Sequence, residues 1–420
     1  MKRELGLLQV TPSGTGIILG AGIYVLIGEA TALAGNAVWL SFAFAALIAV
    51  FTGLSYAELS SMFPTAGAEY DYVAHAFHHR LAFIIGITVI LSGVVGAATV
   101  SLGFAGYFTS FIGLPLLPMA AALLVGLVFL AAWGIRESTL VAILLTLVGV
   151  GGLVGVIAIG LPHFGSVDYL EMPSGLSGVF AGAALIFFAF LGFEEIVKVS
   201  EETRDPEKTI PHGLILALVI TTVLYLLVAV AAVSAVGFVR LASSPAPFAE
   251  IATTYLGSAG SALFTVTALL ATANSALLML IASSHLAYGM AKSGSLPVRF
   301  SVVHRTRRTP GLAIAAVTSV SLVFLLLGDI RVIAHVTNFT LYVTFLVINA
   351  AAIALRVRSP RLPRPFRVPL SLAGIPVTPA LGALVCVFFL FQLTLYTALI
   401  GATLLAITLG VSYVTLQKKE

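Results

Sequence analysis

SGTGIILGAGIYVLIGEATALA, residues 13–34, is the stretch on which the fold turns. It is long and apolar enough to cross a bilayer as one helix, since a crossing takes about 20 residues. Yet glycine stands at 14, 16, 20, 22 and 28, with Gly20-Ala21-Gly22 near the middle and Glu29 beyond. Glycine costs a helix interior about 1 kcal/mol relative to alanine and lets the backbone leave helical geometry. Amides and carbonyls opened at mid-membrane survive only where they line a cavity or hold a ligand. The stretch therefore predicts a broken helix that supplies half of a substrate site.

Its surroundings set the class. The 420 residues are 60% hydrophobic and 9% charged, with mean hydropathy +1.11, which excludes a soluble domain of this size. The reading is an all-α polytopic membrane protein whose first partner is the lipid bilayer. A net charge of +4 does not imply nucleic acid, because the basic residues lie in short loops between apolar runs. Cys386 is the single cysteine, so there is no disulfide framework and no cysteine-based metal site. His75, His78 and His79 lack metal-ligand spacing, and neither a metal nor a cofactor is expected. The N-terminal apolar run is too long and too glycine-broken for a cleaved signal peptide.

The crossing length divides the chain into twelve spans. Spans one to five cover about 13–34, 37–61, 81–111, 115–134 and 139–160, with a tight turn at Gly35-Asn36 and a stop at Gly113-Leu114-Pro115. Spans six to ten cover 177–199, 211–238, 258–291, 311–328 and 332–355. The uncharged run 380–417 holds spans eleven and twelve, with a turn expected near residues 399–401. With the N-terminus in the cytoplasm, external loops hold only Arg240 and Arg331, and the other nineteen of 21 Lys and Arg fall inside. That asymmetry predicts a multi-pass protein of the cell membrane with both termini cytoplasmic.

Span six, GLSGVFAGAALIFFAFLGFEEIVKVS, is built like span one, with glycine at 175, 178, 182 and 192 followed by Glu194 and Glu195. The two begin five spans apart, an odd offset, so the second unit runs through the membrane the opposite way. Paired glycine-broken spans in two halves mark an inverted-repeat transporter. Glycine also serves close helix packing, the role expected of Gly149, Gly151, Gly152 and Gly155 in span five.

Five flanking motifs stand in register along the chain. They are Gly20-Ala21-Gly22-Ile23; Glu58-Leu59 with Phe63-Pro64-Thr65-Ala66-Gly67-Ala68-Glu69-Tyr70; Phe187-Phe188-Ala189-Phe190-Leu191-Gly192-Phe193-Glu194; Glu201-Glu202-Thr203-Arg204-Asp205-Pro206 through Ile210-Pro211; and Thr272-Ala273-Asn274-Ser275 with Leu296-Pro297. Together they resemble the amino acid–polyamine–organocation (APC) superfamily, nearest to amino acid permeases of its cationic-amino-acid-transporter-like branch. The resemblance implies a 5+5 inverted repeat with helices one and six broken, plus two C-terminal helices. The expected units are 1–160, 177–355 and 376–417. It also implies a substrate carboxylate on the amides of Ala21, Gly22 and Ile23. The ammonium would meet carbonyls near Ile17 and Ile18 and near Phe187 and Ala189, with Phe188 and Phe190 covering the substrate. Lipid or core packing is the alternative fate of either phenylalanine.

The driving ion has two candidate seats. Glu29 and Glu194 are intramembrane acids suited to a proton, or else structural hydrogen-bond partners of neighbouring helices. Glu58, near the end of span two, is a solvated or loop-pairing residue. Thr272 and Ser275 lie one turn apart on span eight, where sodium-coupled relatives of the fold place hydroxyl ligands, although such hydroxyls also bond back to their own helix. Some proton-driven relatives put a lysine of span five there; here Thr146 takes that place. The basic, proline-rich loop 356–367 is expected to anchor the topology near anionic lipid.

The expected activity is secondary active transport of amino acids by alternating access, coupled to H+, with a Na+-coupled symporter or exchanger as the alternative. The missing acid in the side-chain pocket points to neutral substrates. A channel or a non-transporting sensor on the same fold is the rival from another class. An enzyme is disfavoured, since no nucleophile–base pair or metal cluster stands at one membrane depth.

Overall fold

The computed structural model describes residues 5–65, 67–133, 135–304, 309–372 and 374–416. Of the residues used above, Lys2, Arg3, Ala66, Arg305, Arg307, Arg308, Lys418 and Lys419 lie outside the described residues. The fold is helical throughout, apart from a two-residue hairpin in which β1 (Ser371–Leu372) pairs antiparallel with β2 (Ile375–Pro376).

Span one is two helices, α1 (Leu7–Ile18) and α2 (Gly22–Ala34), parted at Leu19, Gly20 and Ala21. A 3-10 turn at Gly35–Ala37 leads into α3 (Val38–Met62), and the short α4 (Ala68–Ala76) lies between α3 and α5 (His79–Ile112). Then come α6 (Leu116–Trp133) and α7 (Ile135–Gly160). Span six is also split: α8 (Gly175–Ile186) gives way to 3-10 turns at Phe187–Phe190 and Phe193–Glu202, with Leu191 and Gly192 between them. The chain continues through α9 (Pro206–Ser243), α10 (Pro247–Lys292), α11 (Gly311–Leu325), α12 (Ile330–Arg358), α13 (Val377–Leu390) and α14 (Leu395–Leu416). Gly237 in α9 and Gly257 in α10 have φ of +72° and +66°, so the continuous helix stops and restarts where spans seven and eight were expected to. Among the described residues, eight helical stretches are long and apolar enough to cross a membrane, and three shorter apolar helices accompany them.

The last turn falls elsewhere than expected. The chain bends at residues 391–394, not 399–401, because the Thr394 hydroxyl accepts from the Thr397 amide at 3.3 Å and opens α14. Gly401 is a packing position: a Cβ there would meet the Phe339 ring at 2.3 Å.

The core lies along the broken helices. α3 packs on α9, α5 on α10, and α2 on α8 and α9, while the exposed leucines of α7 and α14 face outward. Leu5 pairs with Thr203, so the start of α1 and the end of the split span lie on one face, called here the terminal face. Helix alternation sets Glu29 and the α5–α6 turn on the opposite face. Near the terminal face, Glu58 is loop-paired rather than solvated: Arg356 Nε donates to it at 2.9 Å, Arg364 Nε stands at 3.2 Å and the Val368 amide donates at 2.9 Å. Two arginines of the loop expected to meet lipid are thus turned into the protein, since a buried carboxylate needs cations and donors around it.

Candidate functional site

The two breaks meet. A Cβ on Gly22 would stand 2.5 Å from Ala189 Cα, so the start of α2 presses on the first 3-10 turn at a distance only glycine allows. The split span turns again at Gly192, whose φ of +115° disfavours any side chain, with the Ile17 Cγ2 and carbonyl against it.

A break frees backbone groups, and most have found partners. The carbonyls of Ala184 and Leu185, where α8 ends, accept from Asn338 Nδ2 at 2.7 and 3.0 Å, and Ala184 also from the Tyr342 hydroxyl at 3.0 Å. The Tyr225 hydroxyl reaches both breaks at once, to the Ile18 carbonyl at 2.8 Å and the Ala189 carbonyl at 2.9 Å. The Ala21 amide donates to Ser275 Oγ at 2.8 Å. Among the described residues the amides of Gly22 and Ile23 have no carbonyl one turn back, because the chain has bent away at residues 19–21; the first such bond in α2 is from Val25 to Ala21. Free N–H groups at the positive end of a helix can serve as an anion seat.

Ile18, Ala21, Gly22, Ala189 and Ser275 border a cavity of about 230 Å³. Of the residues singled out in the sequence, Ile17, Ile18, Ala21, Gly22, Phe188, Ala189, Glu194 and Ser275 line it. Ile23, Phe187 and Phe190 do not: Ile23 is buried, Phe187 packs on Tyr342 at 5.1 Å, and Phe190 packs edge-on to Tyr225 at 5.3 Å. Of the paired phenylalanines, Phe188 alone covers the cavity, and Phe190 has the packing role. Glu29 lies away from it, in an ion pair with Arg331 toward the opposite face. Thr272 bonds back to the carbonyls of Ala268 and Leu269 at 2.7 and 3.0 Å, and Thr146 accepts from Asn274 Nδ2 at 3.0 Å. Neither lines the cavity, and of the expected hydroxyl pair only Ser275 touches the break.

Residues from other helices complete the walls. Val89, Ser92 and Gly93 come from α5, Leu278, Met279 and Ser283 from α10, and Glu195 and Lys198 from the second 3-10 turn. The walls beside the anion seat are apolar with small hydroxyls, while the charges gather where the cavity extends toward the terminal face. Tyr225 lies behind the wall and was not legible, since a tyrosine in an apolar span reads as packing. Among the described residues there is no cluster of three or more His, Cys, Asp or Glu able to hold a metal.

Comparison with known proteins stands beside this geometry. The chain is similar to the branched-chain amino acid permease BcaP of Bacillus subtilis, at 32% identity over 94% of this chain and 88% of the relative. It is similar also to the methylthioribose transporter of that organism, at 30% over 94% and 89%, and to the vacuolar cationic amino acid transporter 4 of Arabidopsis thaliana, at 28% over 86% and 64%. These relatives are transporters rather than enzymes. The amino acid permease family profile matches residues 5–414, so the chain belongs to the amino acid permease family of the APC superfamily.

Proposed function

We propose that this transporter carries neutral, apolar amino acids across the cell membrane by alternating access, coupled to protons. The observation that carries the reading is the pair of broken helices meeting at Gly22 and Ala189 beside one cavity, with two amides free for a carboxylate. The ammonium takes the carbonyls of Ile18 and Ala189, in competition with the Tyr225 hydroxyl. The apolar wall of Val89, Leu278, Met279 and Phe188 then receives the side chain, in keeping with the branched-chain permease among the relatives.

In this reading twelve spans are arranged as inverted repeats of 1–160 and 177–355 followed by 376–417, with both termini cytoplasmic and the cavity extending toward the cytoplasm. Protons are preferred to sodium because Thr272 does not line the cavity and Ser275 Oγ already accepts from the Ala21 amide, whereas carboxylates line it. The test is leucine uptake into proteoliposomes. Preloaded leucine should drive saturable counterflow, and an inwardly directed proton gradient should raise net uptake. Absence of counterflow would remove the carrier reading in favour of a channel or sensor, and stimulation by sodium alone would remove the proton.

A further inference from the structure

The charged end of the cavity has no part in holding a zwitterion by backbone groups. Glu195 and Lys198 form an ion pair of 2.5 Å there, partly exposed, because residues three apart eclipse in a 3-10 turn. Beside it lie two carboxylates with no cation within 4 Å among the described residues. Glu194 is 5% exposed and accepts from the Gly192 amide at 3.0 Å. Glu69, on α4 outside the spans, is 3% exposed and accepts from the Tyr56 hydroxyl at 3.2 Å. One turn along α4 the Tyr72 hydroxyl is buried, lies in the field of Glu69 and Asp71, and has no partner among the described residues.

The groups facing Glu69 come from several elements. α3 supplies Tyr56; α4 supplies Tyr72 and Asp71; and the second 3-10 turn supplies Glu195 and Lys198. α12 presents the Phe345 ring to Tyr56, and His79 of α5 lies over Tyr70 rather than Glu69. Lys198 faces Glu195, Glu69 and Glu194, so one ammonium serves three carboxylates. It neutralises one of them, and burial away from a cation favours the acid form of another.

We propose that Glu69 is a proton-binding residue of the transport cycle, held as a neutral acid against Tyr56 in the conformation seen here. It releases its proton to water at the cavity mouth when the Lys198 ammonium exchanges Glu195 for the new Glu69 carboxylate. The O–H bond of the carboxyl breaks, water takes the proton, and the remaining negative charge is met by Lys198. Burial pushes the Glu69 carboxyl above the ordinary carboxylate range, an effect that the nearby Lys198 ammonium opposes. The inference rests on the proton-coupled reading.

The test uses the full chain in proteoliposomes, with labelled leucine as the probe. Glu69→Gln keeps the size and the neutral state. Its uptake under a proton gradient should equal its uptake without one, while counterflow at equal pH stays within about twofold of wild type. Glu69→Asp should retain the gradient response with its pH profile displaced. Infrared difference spectra of the purified protein between acid and alkaline pH should contain a protonated-carboxyl band that Glu69→Gln lacks, a readout independent of transport. If Glu69→Gln does not fold, the wild-type band and the Glu69→Asp profile decide. A wild-type response that Glu69→Gln retains in full overturns the role of Glu69 and leaves proton coupling standing. A wild type indifferent to the gradient overturns the coupling itself.

Discussion

At Gly22 the space for a side chain is already taken. An alanine Cβ would lie 2.5 Å from Ala189 Cα, a backbone atom that moves only if one of the breaks moves. Overpacking of this kind costs about 1–3 kcal/mol, and here it falls on the amides that form the anion seat. Gly22→Ala should therefore weaken leucine binding by about tenfold or more while the protein remains folded, as competition of unlabelled leucine in counterflow and gel filtration would measure. Tyr225 acts on the other half of the same site. Its hydroxyl has one proton for two carbonyls, and Tyr225→Phe leaves the Ala189 carbonyl without it and the Ile18 carbonyl with the Gly20 amide alone, at a cost of about 1–3 kcal/mol. A bound ammonium can serve those carbonyls instead. The thermal midpoint of the empty Tyr225→Phe protein should fall below wild type, and saturating leucine should recover most of the difference. An equal deficit with and without leucine would separate the hydroxyl from the ammonium seat.

Among elements, the clearest joint ties α3 to the end of α12 and the loop after it. Glu58 is 2% exposed, and its partners Arg356 and Arg364 are 4% and 6% exposed at their side chains. Removing one member of a buried ion pair leaves a charge uncompensated, at about 3–5 kcal/mol. Arg356→Met should lower the thermal midpoint sharply, and adding Glu58→Gln should recover part of the loss, because the stranded carboxylate is then gone. A double variant whose loss equals the sum of the Arg356→Met and Glu58→Gln losses would show that the pairing carries no coupling energy. This joint also marks where sequence reading ends. The break at residues 19–21 was legible because three small residues interrupt an apolar run, and span limits followed glycine, proline and charge. The turn at residues 391–394 carries neither glycine nor proline, only a threonine cap, and Gly401 imitated the missing signal. Ser92, Met279, Ser283 and Tyr225 enter the site through tertiary neighbours, which periodicity within one span does not report. Lys198 left a faint trace, an acid three residues before it, and Glu69 stood inside a motif read only for its likeness.

For the whole molecule the question is which face the cavity serves. Above the breaks α2 is sealed on three sides: Tyr24 meets Phe248 edge-on at 4.9 Å and donates to the Gly149 carbonyl at 2.5 Å, the Tyr107 hydroxyl donates to the Tyr24 carbonyl at 3.1 Å, and Val25 fills the surface at Gly103. Beyond this seal a second cavity of about 130 Å³, with Glu29 on its wall, lies toward the opposite face. Two cavities divided by one packed half-helix fit the proposed alternating access, in which each would open in turn to its own face. Thiol labelling distinguishes the two. Cys386 is fully buried and provides a quiet background. Ala282 lines the main cavity on α10, and Leu114, 41% exposed, sits at the turn between α5 and α6 on the opposite face. With the termini cytoplasmic, a membrane-impermeant maleimide should label Ala282→Cys in inside-out vesicles and Leu114→Cys in right-side-out ones. Leucine should slow the first reaction and leave the second unchanged. The reverse pairing would invert the orientation, and equal labelling of Ala282→Cys from both sides would mean that the packing around Tyr24 is no seal.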